Sequence, residues 1–144
     1  MSQADAGDPR FRAITVDGFE ILVGRGAREN DELTFRVAAP HDLWLHASGF
    51  AGSHVIIRSP EGGEVPRAVV ERAARLAAFH SKAREAGGKV AVHVCRAANV
   101  RKPRGAPAGQ VQIRRFDVVR VYAGREGEGE GEGDRDRSAG TGTP

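Results

Sequence analysis

Residues 42–58, DLWLHASGFAGSHVIIR, constrain the fold more than any other stretch of the chain. Two strand-like runs flank a turn rich in glycine. Side chains alternate between the two faces of a strand. Leu43, Leu45 and Ala47 therefore share one face, and Asp42, Trp44 and His46 share the other. In the second run Ser53, Val55 and Ile57 alternate with His54, Ile56 and Arg58. The aliphatic face needs a packed layer against it, which requires a sheet with a covering element. The opposite face carries the chain's single tryptophan and two of its five histidines. Trp44 and His46 could stack on bases there, with His54 and Arg58 reaching phosphates. The competing reading makes Trp44 a core residue, the commoner fate of a lone tryptophan in a small domain.

The flanking segments supply the rest of a sheet and its cover. FRAITV and FEILVG, joined by Asp17-Gly18, read as a hairpin, because both turn residues tolerate positive φ. Asn30-Asp31-Glu32 reads as the start of a short helix. Asn30 would cap its free N–H groups, Leu33 and Val37 would lie on its buried face, and Pro40 would stop it. Arg25 and Arg28 beside this cap either hold a phosphate together with the helix N–H groups or pair with Glu29 and Glu32. Pro66 opens a long alanine-rich helix that runs to Gly87-Gly88, with Val69, Ala73, Leu76 and His80 on one face and Glu71 four residues before Arg75. KVAVHVC reads as a central strand in which Cys95 is a small buried hydrophobe. Residues 97–109 form a loop with Arg101, Lys102 and Arg104 close together, suited to phosphate contacts. QVQIRRFDVVRVY closes the fold as one or two strands. The expected class is α+β: a small, mostly antiparallel sheet packed against one long and one short helix, in a single domain spanning residues 10–123. Residues 1–9 are small, polar and acidic, and residues 124–144 are glycine-rich and acidic; both are expected to be disordered.

The formal net charge of +3 hides an asymmetry. Between Arg10 and Arg125 there are 20 Lys and Arg against 11 Asp and Glu, a net of +9. Such a domain attracts polyanions over roughly one Debye length. One cysteine allows no internal disulfide, which fits a reducing cytoplasm. No apolar run approaches the ~20 residues of a membrane span, and the N-terminus lacks the pattern of a signal peptide. A cytoplasmic protein without membrane association is expected. His41, His46 and His54 do not complete a metal-ligand spacing, and GRGAREN lacks the GKS/T ending of a phosphate-binding loop. Ser53, His54 and Asp42 have the ingredients of a triad, but adjacent strand residues point to opposite faces and no nucleophile elbow is present. The expectation is a protein that is not an enzyme and uses no cofactor.

Gly24-Arg25 followed by Asn30-Asp31-Glu32-Leu33-Thr34, then Asp42-Leu43-Trp44-Leu45-His46-Ala47, then Gly52-Ser53-His54-Val55-Ile56-Ile57-Arg58, strongly resembles the NFACT-R domain. Ser81-Lys82-Ala83-Arg84 and Asn99-Val100-Arg101-Lys102-Pro103 continue the likeness in order. NFACT-R is the RNA-binding module of the fibronectin-binding-protein-like, Caliban and NEMF proteins. The resemblance implies association with tRNA or rRNA, and with the large ribosomal subunit in ribosome quality control. The chain looks like a stand-alone module without the other domains of full-length members, so their alanine-tailing activity is not carried over. Within this reading Arg25, Arg58, Lys82, Arg101, Lys102 and Arg104 contact phosphates. Trp44, His46 and His54 supply stacking or base-edge contacts. Asn30, Asp42, Ser53 and Ser81, which lie in the matching motifs, join the expected RNA-binding set. The rival readings are a component of an RNA-processing or RNA-modifying enzyme, and a protein-interaction module.

Overall fold

A computed structural model describes residues 8–85 and 87–123; of the disordered segments expected over residues 1–9 and 124–144, all but residues 8 and 9 lie outside them. Strands β1 (Phe11–Val16) and β2 (Phe19–Gly24) form the expected hairpin, with Phe11 opposite Gly24 and Val16 opposite Phe19. Asp17 at φ 50° and Gly18 at φ 86° both occupy the left-handed region. That geometry matches the right-handed twist of the two strands. Further on come β3 (Leu43–Ala47), β4 (Val55–Ile57), β5 (Val90–Arg96) and β8 (Asp117–Val121), which join the hairpin in the order β1-β2-β4-β3-β5-β8. All pairings among the described residues are antiparallel. The architecture is therefore α+β in one domain.

Helix α2 (Arg67–Phe79) covers one face of this sheet. Its Val69, Ala73, Leu76 and Ala77 pack on Ile21, Val23, Leu45, Ala47, Val55, Ile57 and Val92. Small alanine side chains let the helix backbone approach the sheet closely. The helix is shorter than the periodicity predicts at both ends. Pro66 sits at the cap in an extended conformation rather than in the first turn. At the other end the loop before β4 captures the backbone: the Ser53 N–H donates to the His80 carbonyl and the Lys82 N–H to the Ala51 carbonyl, both at 2.9 Å. Ser81 Oγ accepts the Ala83 N–H at 3.0 Å and donates to the Ala78 carbonyl at 2.8 Å. Such local side-chain bonds compete with the helical ladder. The chain continues as a 3₁₀ turn, Lys82–Glu85.

The opposite face is covered only in part. A second core joins Phe11, Leu22, Leu33, Trp44, Ile56, Cys95 and Val100. Its lid is helix α1 (Ala27–Glu32), which widens into a π-helical turn over Leu33–Val37, together with the two-stranded ribbon β6 (Val100–Arg101) and β7 (Gln112–Ile113). Here the expected cap at Asn30 is corrected. The helix starts at Ala27 with Gly26 at its cap, and Asn30 lies inside it, buried. Its amide is committed across space instead: Oδ1 accepts the His54 N–H at 3.0 Å and Nδ2 donates to the Gly52 carbonyl at 3.2 Å. A side chain at Gly24 would place its Cβ 2.2 Å from Asn30 Oδ1, so this approach requires glycine there. Trp44 is only 1% exposed. With no ring face free for a base, its expected stacking role is overturned and the core reading holds. Cys95 is buried as expected, and burial pushes its thiol up to about 11, out of the range of a reactive thiolate.

Candidate functional site

Where the lid stops, the second face opens into a cleft of about 1300 Å³. Its floor is built by period-two alternation. His46 on β3 and His93 on β5 are direct cross-strand partners, both on the face opposite Leu45 and Val92. His54 and the edge of Trp44 adjoin them, with ring centroids 5.5 Å from His46 to His54 and 5.9 Å from His46 to Trp44. The walls come from four segments distant in sequence: residues 25–27, 49–53, 81–85 and 108–111.

Eight of the thirteen expected RNA-binding residues line this cleft: Arg25, Asn30, Trp44, His46, Ser53, His54, Ser81 and Lys82. They divide into residues that shape it and residues that face outward. Asn30 and Ser81 hold the backbone bonds already described, and the Ser53 hydroxyl donates to the Gly24 carbonyl at 2.6 Å. His54 is fixed at both ring nitrogens. The Gly109 carbonyl, 3.2 Å away, can only accept, so Nε2 carries the proton. Nδ1 then accepts the Thr34 hydroxyl at 2.8 Å. Burial lowers the His54 pKa to about 4, with His46 adding to the shift and the Gly109 bond opposing it. At 1% exposed His54 offers no surface for stacking, so that expected role is corrected to a structural one. His46 is only half-buried; burial first, then its neighbour His93, holds its pKa below the usual histidine value. Burial lowers His93 in the same direction. The floor is therefore uncharged at neutral pH. Arg25 and Lys82 are exposed at the margin, and among the described residues neither has a carboxylate partner.

The other five lie elsewhere. Asp42 is 1% exposed and accepts the Ala39 N–H at 2.8 Å, the Ser59 N–H at 2.7 Å and Arg58 Nε at 3.1 Å. A carboxylate with that many donors ties turns together, so its expected contact with RNA is corrected to a structural one, and Arg58 is held against it. Lys102 is corrected likewise. Its ammonium turns inward to Asp31 Oδ2 at 3.2 Å and to the carbonyls of Pro107 at 2.6 Å and Gln110 at 2.9 Å. It pins the loop whose Gly109 N–H also reaches Asp31, at 3.1 Å. Arg101 and Arg104 are exposed but stand outside the cleft. The triad ingredients are not assembled, since Ser53 and Asp42 are engaged with other partners.

Phe50, Arg84 and His93 line the cleft and were missed by sequence reasoning. Phe50 is 40% exposed, and a large aromatic inside a glycine-rich turn was a readable signal. Alternation along KVAVHVC already put His93 opposite Val92. Arg84 stacks over the Phe79 ring at 4.7 Å, a contact that required the helix to end early.

The sequence profile of the NFACT protein RNA binding domain matches residues 10–115. The chain is 43% identical over 97 residues to the Rqc2 homolog RqcH of Bacillus subtilis, covering 67% of this chain and 16% of that protein. It is 40% identical over 111 residues to the Streptococcus suis RqcH, covering 76% and 20%. A NEMF homolog of the ribosome quality control complex from Drosophila melanogaster is 32% identical over 73 residues, 51% of this chain and 7% of that protein. The solved C-terminal part of the fibronectin/fibrinogen-binding protein from Streptococcus suis superposes with a TM-score of 0.72 at 38% identity, covering 78% of this chain and 45% of that one. The chain thus spans a fifth or less of the curated relatives it matches. Motif order, sheet topology and profile agree, and the chain belongs to the NFACT RNA-binding domain family.

Proposed function

We propose that this domain binds structured RNA, tRNA or large-subunit rRNA, on the open half of its second sheet face, as a non-catalytic cytoplasmic module linked to ribosome quality control. The observation that carries the reading is the cleft itself. An uncharged imidazole floor lies within a margin bearing Arg25, Lys82 and Arg84, all exposed. Cations at a rim attract a sugar–phosphate chain, while the floor leaves room for base or ribose contacts. Family membership and the RqcH and NEMF relatives support RNA as the polyanion and ribosome quality control as the setting. No helix of the described residues is long and apolar enough to cross a membrane.

The test is the salt dependence of binding to a folded tRNA and to a large-subunit rRNA fragment, by fluorescence anisotropy. Each neutralised phosphate releases counterions and steepens the log–log slope by roughly 0.7–0.9. The double charge reversal Arg25→Glu with Lys82→Glu is expected to flatten that slope by about two contacts. Binding that is indifferent to salt, or unmoved by the double variant, would speak for the protein-interaction reading instead.

A further inference from the structure

We propose that the cleft receives an unpaired nucleotide of the bound RNA, its base against the Phe50 ring above the His46–His93 pair and its phosphate toward Lys82 and Arg25. This rests on the RNA-binding reading and narrows its substrate class, from folded RNA in general to RNA presenting a bulged, looped or terminal base.

Phe50 is the first support. It is 40% exposed at the tip of a loop pinned before it by the Ser48 N–H donating to the Ala91 carbonyl at 2.9 Å and after it by residues 51 and 53. Gly49 turns the chain at φ 78°, and the Ala51 carbonyl and Ser53 N–H are each bonded to the segment after α2. The ring is thereby held at the cleft with no ring partner among the described residues, which is how a stacking platform is presented. The second support is the floor. His93 packs against Phe116 at 4.4 Å between ring centroids, and His46 leans on Trp44 at an interplanar angle of 28°. Rings fixed in this way present their edges in set directions. A neutral imidazole offers one donor and one acceptor, the same alternation found along the edge of a nucleobase. Burial keeps His46 and His93 toward that neutral form. The third support is shape. The cleft volume of about 1300 Å³ exceeds the roughly 300–1,000 Å³ of small-ligand pockets and leaves room for one or two nucleotides. A base stacked within a duplex cannot enter such a recess, whereas a splayed base can. Aromatic floor and cationic margin together match the two halves of one nucleotide.

The experiment compares two RNA hairpins of equal length and charge, one fully paired and one carrying a single bulged nucleotide, against the full chain and its Phe50→Ala variant. Phe50 is exposed, so the variant is expected to fold as the wild type does. The bulged hairpin should bind about tenfold or more tightly than the paired one, and Phe50→Ala should remove that margin by weakening the bulged hairpin far more than the paired one. A 2-aminopurine placed at the bulge should be quenched on binding by wild type and not by the variant. His93→Gln should alter the ranking among the four possible bulged bases. Equal binding of both hairpins with a steep salt dependence overturns the nucleotide proposal and leaves RNA binding intact. Failure of both hairpins to bind overturns both. Displacement of the bulged hairpin by a free nucleoside monophosphate as readily as by unlabelled hairpin would also overturn it, by making the ligand a free nucleotide.

Discussion

On the α2 side of the sheet, Leu45, Val55, Ile57 and Val92 meet an alanine-lined helix and are sealed from water. On the other side the alternate residues of those same strands include Trp44, His46 and His93, with His54 just before β4. One backbone therefore presents two chemistries in period two. The first face needs volume matching and nothing else. The second is closed at one end by α1, its π-helical turn and the β6–β7 ribbon, and is left open at the other, where the polar rings collect. On the proposed reading stability and recognition are divided between faces of a single sheet, and substitutions on the two faces should separate into different phenotypes.

The largest effect belongs to the sealed face. Leu45→Ala is expected to cost about 2–5 kcal/mol in urea denaturation, through lost burial and the cavity left behind. RNA affinity of the protein that remains folded should not change. Parallel losses in stability and intrinsic affinity would show that the faces are coupled. Next comes pH. His54, with a folded pKa of about 4 against an ordinary value of 6.5, binds its proton more readily in the unfolded chain. Its contribution is whole above pH 6.5 and is lost progressively as pH falls from there toward 4, by at most about 1.4 kcal/mol per pH unit. His46 and His93 shift in the same direction and steepen the decline. Denaturation midpoints followed from pH 7.5 to 4.5 check this; a flat profile would mean that the imidazoles are not held neutral.

A smaller effect lies at the cleft wall. A Cβ at Gly52 would sit 2.4 Å from the Ser81 Cβ and 2.9 Å from the His80 carbonyl. Gly52→Ala should cost about 1–3 kcal/mol by forcing that bridge apart. Unlike Leu45→Ala, it should also weaken RNA binding, because the wall carrying Lys82 moves with it. The smallest belongs to the outer surface of α2. The Arg67–Glu71 ion pair at 3.0 Å is exposed on its arginine side, and removing it by Glu71→Gln should change stability by no more than about 0.5 kcal/mol.

Much of this arrangement was legible before any coordinates. Asp17-Gly18 announced its hairpin because the turn's dihedrals demand those residue types. Alternation in DLWLHA and SHVIIR put Leu45, Val55 and Ile57 on the α2 face and Trp44, His46, His54 and Ile56 on the other, while Ser53, which lines the cleft beside His54, departs from it. What alternation does not carry is whether a face is covered, and Trp44 shows the gap: its side was right, but the lid from α1 and residues 100–113 comes from distant segments. Asn30 failed for a related reason. The same amide chemistry serves a helix cap or a strand-to-loop bridge, and only the fold brings His54 and Gly52 within reach. Lys102 looked like a phosphate ligand because its sequence neighbours are cations, while its actual partners, Asp31 and two carbonyls, are set by the loop's path. The early end of α2 was likewise written in backbone bonds to residues 51 and 53. Long-range contacts account for the corrections at Trp44, Asn30 and Lys102, and they join the local Ser81 bonds in ending α2 early.

The most direct measurement is a titration of the isotopically labelled chain with a folded tRNA or large-subunit rRNA fragment, followed by backbone amide shifts. Saturating shifts concentrated in residues 25–27, 49–53, 81–85 and 108–111, with the outward surface of α2 unchanged, are the predicted result. Shifts centred on Arg67, Glu71 and Arg75, with the cleft segments silent, would contradict the placement of RNA on the open half of the second face.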